Sequence, residues 1–146
     1  MMPHQPGPDT PASARVFDYW AGGRDHYRPD RELADAIAEI CPGAPRTARH
    51  NRESTGRAVA WAAREGAAQF LDLGCGYPLG TEIHDIARAV NPAATVAYVD
   101  TDEDVVNYAS WLFGEDQKLK GITVARADLR DPALCSRTRA SGRSSR

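Results

Sequence analysis

"QFLDLGCGYPLG", residues 69–80, runs an apolar stretch into an acid and then a Gly-x-Gly turn. The apolar run predicts a buried strand that delivers Asp72 to the start of a loop, where Gly74 and Gly76 let the backbone turn closely beneath a ligand. A carboxylate so near that loop repels a bare phosphate. The order of residues therefore asks for a ligand of another kind.

Outward from this stretch the pattern alternates. "AQFLDL" (68–73) is a short apolar run of the sort buried on both faces of a parallel sheet, "TEIHDIARAV" (81–90) has helical period, and "TVAYVD" (95–100) is strand-like. "DEDVVNYASWLF" (102–113) is helical and "GITVARAD" (121–128) gives a third strand. The fold class expected is α/β, a Rossmann-like parallel sheet of three strands joined by right-handed crossovers. Its ligands bind outside the carboxyl ends of the strands, where strand order reverses. A helix starting near Thr81 would aim its free N–H groups at a carboxylate of the ligand.

Before the sheet the chain reads as helical. Ser13 is placed to cap a short helix in "SARVFDYW", broken by Gly22 and Gly23. "DRELADAIAEI" (30–40) sets Leu33, Ile37 and Ile40 on one apolar stripe, and a second helix runs from Arg46 to Glu65, stopped by Gly66. The organisation expected is a disordered arm over 1–12, a helical segment over 13–66, the sheet domain over 67–134, and a tail over 135–146.

Each strand ends in an acid, Asp72, Asp100 or Asp128, at the rim where ligands bind. Asp100 lies 24 residues beyond Gly76, near the roughly 20-residue offset at which a second-strand acid accepts hydrogen bonds from a ribose diol. Asp72 faces the loop where a charged amino group can be neutralised. Asp128 either accepts from an exocyclic amine such as adenine's or shapes the turn "DLRDP". Thr101 and Leu129 follow the second and third acids and complete the candidate site. Asp102 reads as the cap of the next helix, and Cys75 as a small spacer rather than a nucleophile. These groups together describe an adenosine joined to an amino acid, S-adenosyl-L-methionine.

"LDLGCG", "VAYVDTD" and "ARADLRD" accordingly resemble the first motif, second-strand end and third-strand acid of the class I methyltransferases. More narrowly, "ARVFDYWAGGRDHYRPDRE", "ARHNRE", "LDLGCGYP" and "EIHDIA" resemble a bacterial family of S-adenosyl methyltransferases of unassigned substrate, over roughly Ser13 to Pro132. One departure is Pro78, which stands where the loop usually has a third glycine. The resemblance implies that the N-terminal segment folds over the cofactor, which makes Gly23 a cofactor contact and Tyr19, Asp25 and Tyr27 further lid candidates. It also implies that any general base comes from beyond a fourth strand, and it assigns no catalytic residue within this chain.

Bulk properties bound the alternatives. The 146 residues, 42% apolar, suit one modest core. The net charge is −2, but residues 135–146 hold four arginines and no acid, so the body carries 14 basic against 20 acidic residues, or −6. Such a body offers no basic face to nucleic acid. Cys41, Cys75 and Cys135 are widely spaced and His26, His50 and His84 lack metal-ligand spacing, so neither a disulfide framework nor a metal site is expected. No basic-then-apolar leader and no membrane-spanning run is present. A cytoplasmic location and a small-molecule acceptor are the expectation.

Two rival readings share the half-fold. A nicotinamide oxidoreductase would place its third glycine at Leu79, and a non-catalytic nucleotide-binding or interaction module would leave the sheet for a partner to cover. "CSRTRASGRSSR" (135–146) has no apolar period and reads as a disordered tail where the family would continue with further strands. The sequence thus reads as a truncated or frame-shifted cofactor-binding half, expected to self-associate through an open strand edge and not to turn over by itself.

Overall fold

Three strands, β1 (Gln69–Leu73), β2 (Thr95–Asp100) and β3 (Ile122–Arg126), form one parallel sheet in the order β1-β2-β3. The computed structural model describes residues 7–114 and 120–131. The first residues of the expected arm and the Arg-rich tail with Cys135 lie outside the described residues. In register, Phe70 pairs with Val96 and Val96 with Ile122, while Asp72 pairs with Tyr98 and Tyr98 with Val124. Side chains alternate across a strand, so these residues share one face. That face meets the helices, and Val96 and Tyr98 join Val59, Ile83, Ala87, Ala109 and Phe113 in the core.

The helices on that face are α3 (Ala44–Arg64), α4 (Ile83–Val90) and α5 (Glu103–Gly114). Gly66, at φ +95, ends α3 as expected: its N–H and that of Ala67 close on the carbonyls of Ala63 and Ala62. Two further helices precede them, α1 (Ser13–Ala21) and α2 (Arg28–Ile40), and α1 packs on both α2 and α3.

Several local expectations are corrected. Ala12, not Ser13, occupies the N-cap of α1, and its N–H is held by Asp30 Oδ1 at 2.9 Å. Two of the three residues of the expected stripe of α2 face water, Leu33 41% and Ile40 87% exposed, Ile37 is half-buried, and Asp30 and Ala34 are buried. The reason is a buried ion pair. Arg15 Nε donates to Asp30 Oδ2 at 2.8 Å, and both side chains are sealed. Asp30 also accepts the Tyr27 N–H at 2.7 Å. Burial alone would raise its pKa, but the Ala12 and Tyr27 N–H groups and Arg15 outweigh that and lower it. Arg15 Nη2 donates to the carbonyl of Thr10 at 2.6 Å and that of Gly7 at 3.3 Å, so residues 7–12 of the expected arm are tied to the fold.

Strand β1 is not buried on both faces. Leu71 and Leu73 are 61% and 49% exposed, on the face opposite the helices. Among the described residues β1 pairs only with β2, so its outer edge is open.

Candidate functional site

The site forms at the carboxyl ends of β1 and β2. After Leu73 the chain turns through Gly74 and Gly76 at φ +75 and +64, values that L side chains adopt only under strain. Gly74 and Cys75 both donate their N–H groups to the Val99 carbonyl, at 2.8 and 3.1 Å. Gly76 donates to Asp100 Oδ2 at 2.9 Å, and Asp102 donates to Asp100 Oδ1 at 3.0 Å. A carboxylate offers about four acceptor positions, so Asp100 keeps capacity beyond these two bonds. A Cβ built on Gly74 or Gly76 would meet nothing within 4 Å, so the space above the loop is open.

Asp72 is half-buried beside this loop, and among the described residues no donor hydrogen-bonds its carboxylate. Burial raises its pKa first; Arg52 opposes this, and Glu82 and Asp100 add to it. A half-buried carboxylate without a protein donor is left to accept from a ligand. The open cradle, the undonated Asp72 and the spare positions of Asp100 fit the amino-acid and ribose parts of S-adenosyl-L-methionine, so the residues present suit that cofactor.

Burial first, then Asp100 and Asp72, push the Cys75 thiol up to about 12, which suits a spacer better than a nucleophile. Asp102 caps α5 as expected, accepting the Asp104 N–H at 2.9 Å. The start of α4 differs. The helix begins at Ile83, with Glu82 as N-cap, and Glu82 donates its N–H to Asp85 Oδ2 at 2.9 Å. Two of the protein's own acids thus stand where the ligand's carboxylate was expected.

The third strand contributes less. The Asp128 carboxylate is chelated by Arg130, whose Nη2 lies at 2.6 Å and Nε at 2.9 and 3.1 Å. Arg130 holds its pKa down at about 2. Asp131 closes a turn onto the Asp128 carbonyl, so the expected turn at "DLRDP" is formed. Leu129 is exposed beside it, as is Thr101, whose carbonyl accepts from Arg126 Nε at 3.1 Å.

Of the lid candidates, Gly23 packs on Asp18, where a Cβ would come within 1.8 Å of Asp18 Oδ1. Asp18 is buried, accepts the Asp25 N–H at 2.9 Å, and has its pKa raised mainly by burial. Asp25 and Tyr27 line a cavity of about 620 Å³ together with Arg24, Tyr77, Asp104 and Tyr108. Tyr19 turns away to donate to Asp35 Oδ1 at 3.3 Å.

Sequence reading missed Arg52 and Glu82. Arg52 Nη2 reaches Glu82 Oε1 and Oε2 at 2.9 and 3.0 Å, and Glu82 Oε1 also accepts the Leu79 N–H at 2.6 Å. The pair ties α3 to the end of the glycine loop. Its only trace in the sequence is that both residues fall within family-like stretches, "ARHNRE" and "EIHDIA".

Comparison with known proteins agrees with this fold. A structure of a DUF574 family protein from Streptomyces avermitilis superposes with a TM-score of 0.80 at 38% identity, over 87% of this chain and 48% of that one. A candidate methyltransferase from Thermobifida fusca superposes with a TM-score of 0.80 at 40% identity, over 86% and 46%. The chain thus spans about half the length of the solved structures it matches. No curated protein matches it. The model of a family described as S-adenosyl methyltransferase matches residues 4–142, past both limits of the stretch whose resemblance was evident in the sequence. The chain belongs to the S-adenosyl methyltransferase family.

Proposed function

We propose that this chain is the cofactor-binding half of an S-adenosyl-L-methionine-dependent methyltransferase acting on a small-molecule acceptor. The observation that carries the reading is Asp72, an undonated carboxylate beside an open glycine cradle whose second N–H is fixed by Asp100. Asp72 neutralises the cofactor's ammonium, Asp100 accepts from the ribose diol, and Gly74, Cys75 and Gly76 let the backbone approach the sulfonium-bearing chain. Thr101 and Leu129 border the base, and Asp128 reaches it only by leaving Arg130.

When bound, the cofactor supplies a methyl group already activated as a sulfonium. The protein's task is then to hold an acceptor in line and to exclude water. The segment over 13–66 serves as the lid, and Gly23 lets its loop close on Asp18. The cavity lined by Asp25, Tyr27, Tyr77 and Tyr108 is the space we assign to the acceptor. Among the described residues no helix is long and apolar enough to cross a membrane, and we assign the protein to the cytoplasm.

The open edge of β1, with Leu71 and Leu73 exposed, supports a further part of the reading. The chain completes its sheet by pairing there, with a second copy if no other strand is offered. Titration calorimetry with S-adenosylhomocysteine and with NAD tests the cofactor assignment. Binding of the first alone is expected. Binding of NAD alone would replace the reading with a nicotinamide site.

A further inference from the structure

The cofactor's amino-acid end carries a carboxylate as well as an ammonium, and the obvious receptor for it is closed. The N-terminus of α4 holds Glu82, 6% exposed, and Asp85, whose Oδ2 takes the Glu82 N–H. An incoming carboxylate there would meet two like charges. A carboxylate received at this end of the site therefore needs a cation that offsets Glu82.

We infer that Arg52 is the carboxylate receptor of the cofactor site, pairing with Asp72 so that the two hold the zwitterionic end of the ligand. Arg52 lies on α3, three-quarters buried, with Nη2 committed to Glu82 at 2.9 Å. Among the described residues its Nε and Nη1 have no hydrogen-bond partner. The position is set by the loop itself, because Glu82 Oε1 holds both Arg52 and the Leu79 N–H. Arg52 is close enough to Asp72 to act on its charge, yet it forms no ion pair with it. The remaining donors of Arg52, tied through Glu82 to the end of the glycine loop, and the undonated Asp72, just before its start, thus flank an open cradle. An α-amino acid group satisfies both at once. The planar guanidinium suits a carboxylate better than an ammonium point charge would, because it can present two parallel N–H bonds. Glu82 in turn keeps the side chain aimed at the loop and is a positioning residue.

The inference rests on the cofactor reading, and the test separates the two. Calorimetry on the 146-residue chain compares S-adenosylhomocysteine, its analogue lacking the carboxylate, and 5′-methylthioadenosine, which lacks the whole amino-acid end. Removing the ligand's carboxylate should weaken binding about ten- to a hundredfold, the range for one charge-assisted bond. Arg52→Gln should weaken S-adenosylhomocysteine by a similar factor while leaving 5′-methylthioadenosine within about twofold, and should not weaken the carboxylate-free analogue further. Arg52→Lys should recover part of the loss. If the wild-type chain binds none of the three, the cofactor reading itself falls and takes the inference with it. If they bind but Arg52→Gln weakens all equally, or the missing carboxylate costs nothing, the receptor assignment alone is overturned. The ligand-side comparison stands even if Arg52→Gln does not fold.

Discussion

The Gly76 N–H points at Asp100 Oδ2, 2.9 Å away, so the acid at the end of β2 and the loop after β1 are one unit rather than two neighbouring features. Asp100 fixes the loop and retains acceptor positions for a ligand. Its side chain is nearly sealed, at 8% exposure, which strengthens whatever bonds those positions make.

Asp100→Ala should therefore lose both loop order and ribose contacts. We expect about 1.5 to 3 kcal/mol less binding energy for S-adenosylhomocysteine, roughly ten- to a hundredfold in affinity. Asp102→Ala removes only a cap on α5 and should weaken binding less while lowering stability by about 1 kcal/mol. Calorimetry on both variants decides; equal losses would contradict the division of roles.

Gly76→Val should abolish binding. At φ +64 a β-branched residue is strained by about 1–3 kcal/mol, and its side chain would fill the open space above the loop. Circular dichroism should still report a folded chain of lower melting temperature. Tight binding by this variant would show that the ligand does not lie over Gly76.

The Arg15–Asp30 pair predicts a pH-dependent stability term. Asp30 has a lowered pKa in the fold, so its contribution is present above the unfolded carboxylate pKa of about 3.9 and is lost as pH falls through the lower folded value. Asp30→Ala removes the buried pair and the acceptor of the Ala12 and Tyr27 N–H groups, and should cost about 3–5 kcal/mol at pH 7. Urea unfolding at pH 7 and at progressively lower pH should show the difference between wild type and variant shrinking toward acid. A difference that grows toward acid would contradict the sign.

How much of this was legible follows from the periods involved. The alternation of strand and helix from Ala68 to Asp128 was readable because both periods are local, and so were Gly66 as a stop and Asp102 as a cap. The apolar stripe of α2 misled because the helix turns inward on Asp30, whose burial is made tolerable by the distant Arg15 and by the Ala12 and Tyr27 N–H groups. The continuous run of β1 looks the same whether one face or both are covered. Arg52 went unread, since its partner Glu82 lies 30 residues on and no local spacing encodes the contact.

The open edge of β1 makes a prediction about association. Unpaired backbone groups beside the exposed Leu71 and Leu73 template pairing with another strand. Sedimentation should show concentration-dependent self-association of the wild-type chain, and Leu71→Lys should reduce it. A wild-type chain that stays monomeric at high concentration would contradict this.

The central claim is that the loop after β1 and the end of β2 form a cofactor cradle, and amide NMR during titration with S-adenosylhomocysteine tests it most directly. Saturable shifts should concentrate at Asp72 to Tyr77 and at Asp100 to Asp102, with a shift at Arg52 Nε–H. Shifts that fall elsewhere and leave Gly76 and Asp100 unmoved would contradict the account.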